Sequence, residues 1–296
     1  MPAPNRQRRI APIDIPRLPF VTHERPLFFA HRGGSALAPE NTLPAYENGL
    51  RYGADALELD IHYTRDGEIV VIHDDLLDRT TDGSGPLAAL TLDELRRLDA
   101  GYRFTPDDGQ TYPWRGKGVT IPTLREVFEH FPQTRINVEM KVSDADGERR
   151  LLRLLLDNGW GDRALVGSYY TDALQRFRAL CEGHIATSAS ANEIRIFVLA
   201  VLVRQTQRLR PTYDALQLPE IYRGIRVTSP TSIRLAHELG LDLHVWTVDD
   251  RETMERLLDW GVDGLMSDRP DTLAEVYQAR GWLPTPSPNR EPEQHS

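Results

Sequence analysis

The feature that most constrains this chain is an alternation. Short apolar runs, most of them too brief for a helix, recur along its length: LFFAH (27–31), ALELDI (56–61), INVEMK (136–141), ALVGSY (164–169), HIATSA (184–189), ALQLP (215–219), LHVWTV (243–248) and GLMSD (264–268). Between them lie segments such as LPAYENGLRYG, TLREVFEHF, LLRLLLDNG, SIRLAHELG and RETMERLLDWG, whose apolar residues step by three and four. A strand covered on both faces reads as a continuous apolar run, and an amphipathic helix shows the three-and-four step. About eight such strand–helix units in series predict an α/β fold, a (β/α)8 TIM barrel over residues 27–282. A doubly wound open sheet is the alternative, but no GxGxxG follows a strand to favour it.

One stretch departs from the rhythm. ALELDI runs on into HYTRDGEIVVIHD, where Asp66-Gly67 is a strong two-residue hairpin signal. With these two as the turn, Arg65 faces Glu68, and counting outward sets Asp60 across from His73, with Cβ atoms about 5 Å apart on one face. Glu58 precedes Asp60 by two residues and shares that face, so the pattern predicts a cluster of Glu58, Asp60 and His73. The Gly-, Asp- and Pro-rich stretch at about 75–118 reads as a small insertion after the second strand. Residues 1–26 read as an N-terminal tail, and residues 283–296, Pro-rich and polar, as a disordered one.

Charge and cysteine content narrow the function classes. The formal net charge is −9, which argues against a nucleic-acid partner and requires a local positive site if the ligand is an anion. Cys181 is the sole cysteine, so no intrachain disulfide or thiolate cluster can form. A lone thiol fits a reducing cytosol, and the expected location is cytoplasmic. The basic, Pro-rich start lacks the apolar core of a signal peptide, and no run approaches the roughly 20 apolar residues of a spanning helix.

Barrel enzymes place their chemistry at the C-terminal ends of the strands. The polar residues that interrupt or end the runs are His31, Arg32, Glu58, Asp60, Glu139, Lys141, Ser168 and Trp246. A carboxylate facing inward from a strand is costly unless paired or metal-bound. Glu58, Asp60 and Glu139 together suit an all-oxygen site for a hard divalent cation, Mg²⁺ or Ca²⁺. The competing reading is a structural ion network with Arg32 and Lys141. His31 and His73, at strand ends beside these carboxylates, suit proton transfer near neutral pH. His73 is placed so close to Asp60 that it is also a candidate metal ligand. His62 is a weaker candidate on the same face as Asp60, while His23, His130, His184, His237, His244 and His295 are read as structural or surface residues.

These residues also carry a resemblance. FFAHRGGSALAPENTLPAYENGLRYGADALELDIHYTRDGEIVVIHDDLLDRTTDGSG, with its HRG, PENT, ExD and HDxxLxRTT elements in order, strongly resembles the N-terminal signature of glycerophosphodiester phosphodiesterases. INVEMK resembles that family's ExK strand, and HVWTVDD with GLMSDRP its closing motifs, so the likeness covers residues 27–279. Asp249 departs from a frequent Asn and Ser267 from a frequent Thr. The resemblance implies a TIM barrel with a small insertion, a divalent cation, and hydrolysis of glycerophosphodiesters to an alcohol and glycerol 3-phosphate. It implies that His31 and His73 are the catalytic pair, that Glu58, Asp60 and Glu139 are the metal ligands, and that Arg32 and Lys141 hold the phosphate. Trp246 resembles a pocket-lining aromatic. Glu40 and Asn41 match PENT, where Asn41 or Thr42 caps the helix starting near Pro44. A barrel that only binds phosphodiesters is the non-enzymatic alternative, and the complete set of site residues argues against it.

The segment 194–203 is almost wholly apolar, with Arg195, Arg204, Arg208 and Arg210 in and after it. It reads either as a helix packed on the barrel or as an interfacial patch near the mouth that makes peripheral membrane contact or takes an acyl chain. The second reading moves the substrate from soluble glycerophosphodiesters towards lysophospholipids, which some relatives of the resembled family cleave.

Overall fold

The computed structural model of the protein describes residues 17–284; the tail expectations for residues 1–16 and 285–296 lie outside the described residues. In chain order the strands are β1 (Leu27–His31), β2 (Ala56–Tyr63), β3 (Ile69–Val71), β4 (Arg135–Met140), β5 (Ala164–Ser168), β6 (Ala186–Thr187), β7 (Ala215–Leu218), β8 (Ile221–Tyr222), β9 (Ile225–Arg226), β10 (Asp242–Val245) and β11 (Gly264–Ser267). The helices are α1 (Leu43–Arg51), α2 (Leu92–Leu95), α3 (Leu124–His130), α4 (Ala145–Asp157), α5 (Thr171–Cys181), α6 (Ala191–Leu202), α7 (Pro230–Glu238), α8 (Arg251–Trp260) and α9 (Pro270–Ala279).

Eight parallel strands form the barrel, in the order β6-β5-β4-β2-β1-β11-β10-β7. A parallel bridge of Ser188 with Ala215 closes the ring between β6 and β7, and Ala189 N donates to Ala215 O at 2.8 Å. Outward-facing strand residues such as Leu57, Leu59, Val138 and Val166 are fully buried beneath helices α3 to α5. On the other side Phe28, Leu216, Leu243 and Leu265 are covered by helices α7 to α9. Both faces of each strand are therefore dry, which is why the strands read as unbroken apolar runs. Inside, Leu27, Phe29, Ala56, Leu165, Ala215 and Met266 fill the lower barrel.

Two expectations need correction. Residues before 27 are not all tail: Phe20 is 0 % and Val21 2 % exposed, and they close the barrel floor against Phe29. Burying these apolar side chains outweighs leaving the segment free. At the other end Trp282 and Leu283 pack partly buried on the outer core. The hairpin also differs in register. Tyr63 pairs with Ile69 and Ile61 with Val71, so Ile72, not His73, stands opposite Asp60, and its N donates to Asp60 O at 3.0 Å. The cause is Gly67, at φ +87. A left-handed residue after a tight turn inserts one extra position, and the Thr64 hydroxyl fixes it by accepting from Glu68 N at 2.9 Å.

Between β3 and α3 the chain forms a cap with its own small core of Leu77, Leu87, Leu95, Val119 and Ile121, continuous with Val70 and Ile72. A second antiparallel hairpin, β8–β9, stands off the barrel next to the end of β7.

Candidate active site

Strand register assembles the site. In parallel strands, aligned residues point to the same side, and β1, β2 and β4 set His31 beside Glu58, Glu58 beside Asn137 and Asp60 beside Glu139. All five face the barrel axis at its C-terminal end. Oxygens of Glu58, Asp60 and Glu139 lie within 4.8 Å of one another. The three carboxylates that interrupt the apolar runs thus do meet, and His31, Arg32, His73, Lys141, Ser168 and Trp246 line the same cavity of about 510 Å³.

The carboxylates are not equivalent. Asp60 is 1 % exposed and sits between two cations, with Lys141 Nζ 2.9 Å from Oδ1 and Arg32 Nε 3.2 Å from Oδ2. Burial alone would raise its carboxyl, but Lys141 and then Arg32 hold it below the usual carboxylate range. Glu58 is just as buried, yet its only ion-pair partner among the described residues is His31, 3.7 Å away. Burial first, and the Asp60 charge next, push the Glu58 carboxyl up to about 7. Arg32 Nε, meanwhile, is buried and has no hydrogen-bond partner. Glu58 thus faces an imidazole but no Lys or Arg, and the approach of Arg32 Nε to Asp60 at 3.2 Å is a charge contact rather than a hydrogen bond.

Both imidazoles are held by one nitrogen. His31 Nδ1 lies 2.6 Å from Asp268 Oδ1, and His73 Nδ1 lies 2.5 Å from Asp74 Oδ1. The Nε2 atoms are left for chemistry. Burial works to lower the His31 imidazole, but the carboxylates of Glu58 and Asp268 outweigh it and push it up to about 9. Arg79 bridges Asp74 to Glu40, donating to each at 2.6 Å, and Glu40 in turn accepts from Arg32 at 3.1 Å. His62 is buried with Nε2 3.0 Å from His73 O, a role in anchoring the loop that presents His73.

The turn after β1 explains its sequence. Arg32, Gly33 and Gly34 are successive left-handed residues at φ 51°, 88° and 97°. A Cβ on Gly33 would come within 2.7 Å of the Ala45 backbone, and one on Gly34 within 2.6 Å of Pro270, so only glycine fits. Thr42 caps α1 and accepts from Ala45 N. Asn41 instead donates to Asp60 Oδ2 at 2.9 Å and accepts from the Tyr46 hydroxyl at 2.9 Å. Sequence reasoning missed Asp74, Arg79 and Asp268 as site residues and gave Asn41 only a capping role; each lies in a loop with no periodicity, and the signal that could have found it is its place in the HDxxLxRTT, GLMSDRP or PENT element.

The apolar segment is also settled in part. Helix α6 buries Phe197 and Ala200, but Leu199 and Leu202 are 60 % and 64 % exposed. With Ile194 and Val198 they form one wall of the cavity, and Tyr222 and Ile225 of the β8–β9 hairpin form part of the rest.

Such a mouth, with three carboxylates, an Arg and a Lys, and two anchored imidazoles, defines a class: a (β/α)8 phosphodiesterase. The chain belongs to the glycerophosphoryl diester phosphodiesterase family, whose family model matches residues 31–272. A glycerophosphodiester phosphodiesterase of Caldanaerobacter subterraneus subsp. tengcongensis is 33 % identical over 86 % of this chain and 99 % of its own. An Oleispira antarctica phosphodiesterase, whose structure was solved in complex with the product sn-glycerol-3-phosphate, is 27 % identical, with a TM-score of 0.68 over 86 % of this chain and 97 % of its own. A mouse lysophospholipase D is 24 % identical over 83 % of this chain and 84 % of its own. Among the described residues no helix is long and apolar enough to cross a membrane.

Proposed function

We propose that this chain hydrolyses glycerophosphodiesters to an alcohol and glycerol 3-phosphate with the help of a divalent cation, Mg²⁺ or Ca²⁺. The observation that carries the reading is Glu58, fully buried beside Asp60 and Glu139 with no Lys or Arg of its own. Glu58, Asp60 and Glu139 would hold the cation, and the all-oxygen donor set fits a hard ion. When bound, the cation supplies charge neutralisation at a non-bridging phosphate oxygen.

The rest is work for the chain. Arg32 and Lys141 orient the phosphate and share its developing charge. Of His31 and His73, one takes a proton from the attacking oxygen and the other gives one to the departing alcohol as its P–O bond breaks. Attack by water gives glycerol 3-phosphate directly, and attack by the neighbouring glycerol hydroxyl gives a cyclic phosphodiester that a water then opens. Asp268 and Asp74 hold the two rings by Nδ1, which leaves Nε2 of each for the proton transfers.

The apolar groove favours a second substrate class. A soluble head group has no use for a wall of Ile194, Val198, Leu199 and Leu202, whereas the acyl chain of a lysophospholipid would fill it. The same rim is where peripheral contact with a membrane would occur. A cytoplasmic setting is supported by Cys181, buried and unpaired.

Hydrolysis of glycerophosphocholine in excess chelator tests the metal reading. Turnover is expected to vanish and to return with Mg²⁺ or Ca²⁺, and Glu139→Gln to lose metal affinity and rate together. Undiminished turnover in chelator would sink the cation assignment.

A further inference from the structure

The groove accounts for only part of the apolar surface around the mouth. Ile196, Val203 and Ile221 do not line it, yet they are 56 %, 54 % and 52 % exposed. They stand on two separate elements: Ile196 is within α6 and Val203 caps it, while Ile221 belongs to the β8–β9 hairpin. Both elements also present side chains to the cavity, and these are exposed as well: Leu199 and Leu202 on α6, and Tyr222 and Ile225 on the hairpin. Exposed apolar side chains gathered on the two elements that frame one mouth mark a contact face.

The charge around it departs from the rest of the chain. Residues 191–228 contain Arg195, Arg204, Arg208, Arg210, Arg223 and Arg226 against Glu193, Asp214 and Glu220, in a protein of net charge −9. All three acids are occupied: Glu193 by Arg178, Glu220 by Arg226 and Arg256, and Asp214 by Thr187 N. Among the described residues, Arg195 and Arg223 form no salt bridge within 4.0 Å. Arg195 is at the cavity wall and Arg223 at the tip of the hairpin. Apolar tips with unpaired arginines beside them match the chemistry of a bilayer surface, where side chains enter the acyl boundary and guanidinium groups meet headgroup phosphates.

We propose that α6 and the β8–β9 hairpin are two prongs of a docking surface for an anionic phospholipid membrane, and that docking seats the cavity mouth on the bilayer. The proposal deepens the reading of the site as a lipid-directed phosphodiesterase and rests on it for its purpose, but docking is measured without turnover.

The full chain, held in chelator, is sedimented with vesicles of phosphatidylcholine alone and of phosphatidylcholine mixed with phosphatidylglycerol. Binding is expected on the mixed vesicles, to weaken with salt, and to be slight on phosphatidylcholine. Ile196→Ser with Ile221→Ser should weaken it by on the order of tenfold per side chain. Arg223→Glu should weaken it by about fivefold or more. None of these residues lines the cavity, so turnover of dissolved glycerophosphocholine should be unchanged. A wild-type chain that stays in the supernatant with mixed vesicles overturns the proposal, as do variants that sediment like wild type. A shift of the wild type's oligomeric mass that the same substitutions abolish would assign the face to a protein partner and overturn it too. Absence of glycerophosphocholine turnover in the wild type would instead defeat the phosphodiesterase reading and leave the vesicle result standing.

Discussion

His31 and Asp268 are 237 positions apart, yet Nδ1 and Oδ1 meet at 2.6 Å. They meet because β1 and β11 are parallel neighbours, with Ala30 opposite Ser267, so the two strand ends emerge together. Asp268 is itself held: its N donates to Asp249 Oδ1 at 2.8 Å, and the Ser267 hydroxyl donates to the same oxygen at 2.9 Å. Asp249 and Ser267, the two departures from the family pattern, thus sit behind the residue that orients His31.

Asp268 is a positioning residue, and Asp268→Asn keeps its volume while removing the charge that sets the imidazole. The expected result is a fall in kcat of about 10²-fold or more with little change in KM. The melting temperature should stay near the wild-type value, and Asp268→Glu should recover part of the rate. Near-normal kcat in Asp268→Asn would show that His31 is held by something else.

The eight barrel strands were legible because each is dry on both faces, and β1 spans the same residues as the run LFFAH. Glu58, Asp60 and Glu139 were legible because an inward carboxylate breaks such a run. What lies in loops was not: Asp74, Arg79 and Asp268 follow no period, and Phe20 sits in a Pro-rich stretch whose packing partner is distant in sequence. The Asp66-Gly67 signal marked a hairpin, but a two-residue turn and a bulged one share that dipeptide, so the register came out one residue off. The face of α6 was illegible for a different reason. A helix apolar nearly all round carries no stripe to say which side is buried, and tertiary context chose Phe197 and Ala200.

The barrel floor gives stability a pH dependence. Asp242 is 1 % exposed and ties the N-terminal segment down, with Arg17 donating to Oδ1 and His23 Nε2 2.9 Å from Oδ2. Burial alone would raise its carboxyl, but His23, His244 and Arg17 hold it well below the usual 3.8. A depressed folded value means the contribution is complete above the unfolded value and is lost as pH falls through the folded one. Asp242→Asn should therefore cost on the order of 2 kcal/mol near neutrality, and its deficit in melting temperature should shrink as pH drops below 3.8. A deficit that stays constant down to strong acid would mean the carboxylate charge is not what holds the segment.

Leu199 and Leu202 give the sharpest test of the groove. Had they been core residues, replacing each with Ser would open a cavity and bury a hydroxyl, at about 2–5 kcal/mol apiece. Their exposures of 60 % and 64 % predict the opposite: the double substitution should leave stability within about 0.5 kcal/mol per site. What should change is selectivity, because both side chains wall the cavity. kcat/KM for lysophosphatidylcholine should fall relative to that for glycerophosphocholine, since only the former carries an acyl chain to lose contact with. A large drop in melting temperature would place the leucines in the core after all. An unchanged ratio of the two substrates would mean that the groove, though apolar and open to the site, is not where an acyl chain lies.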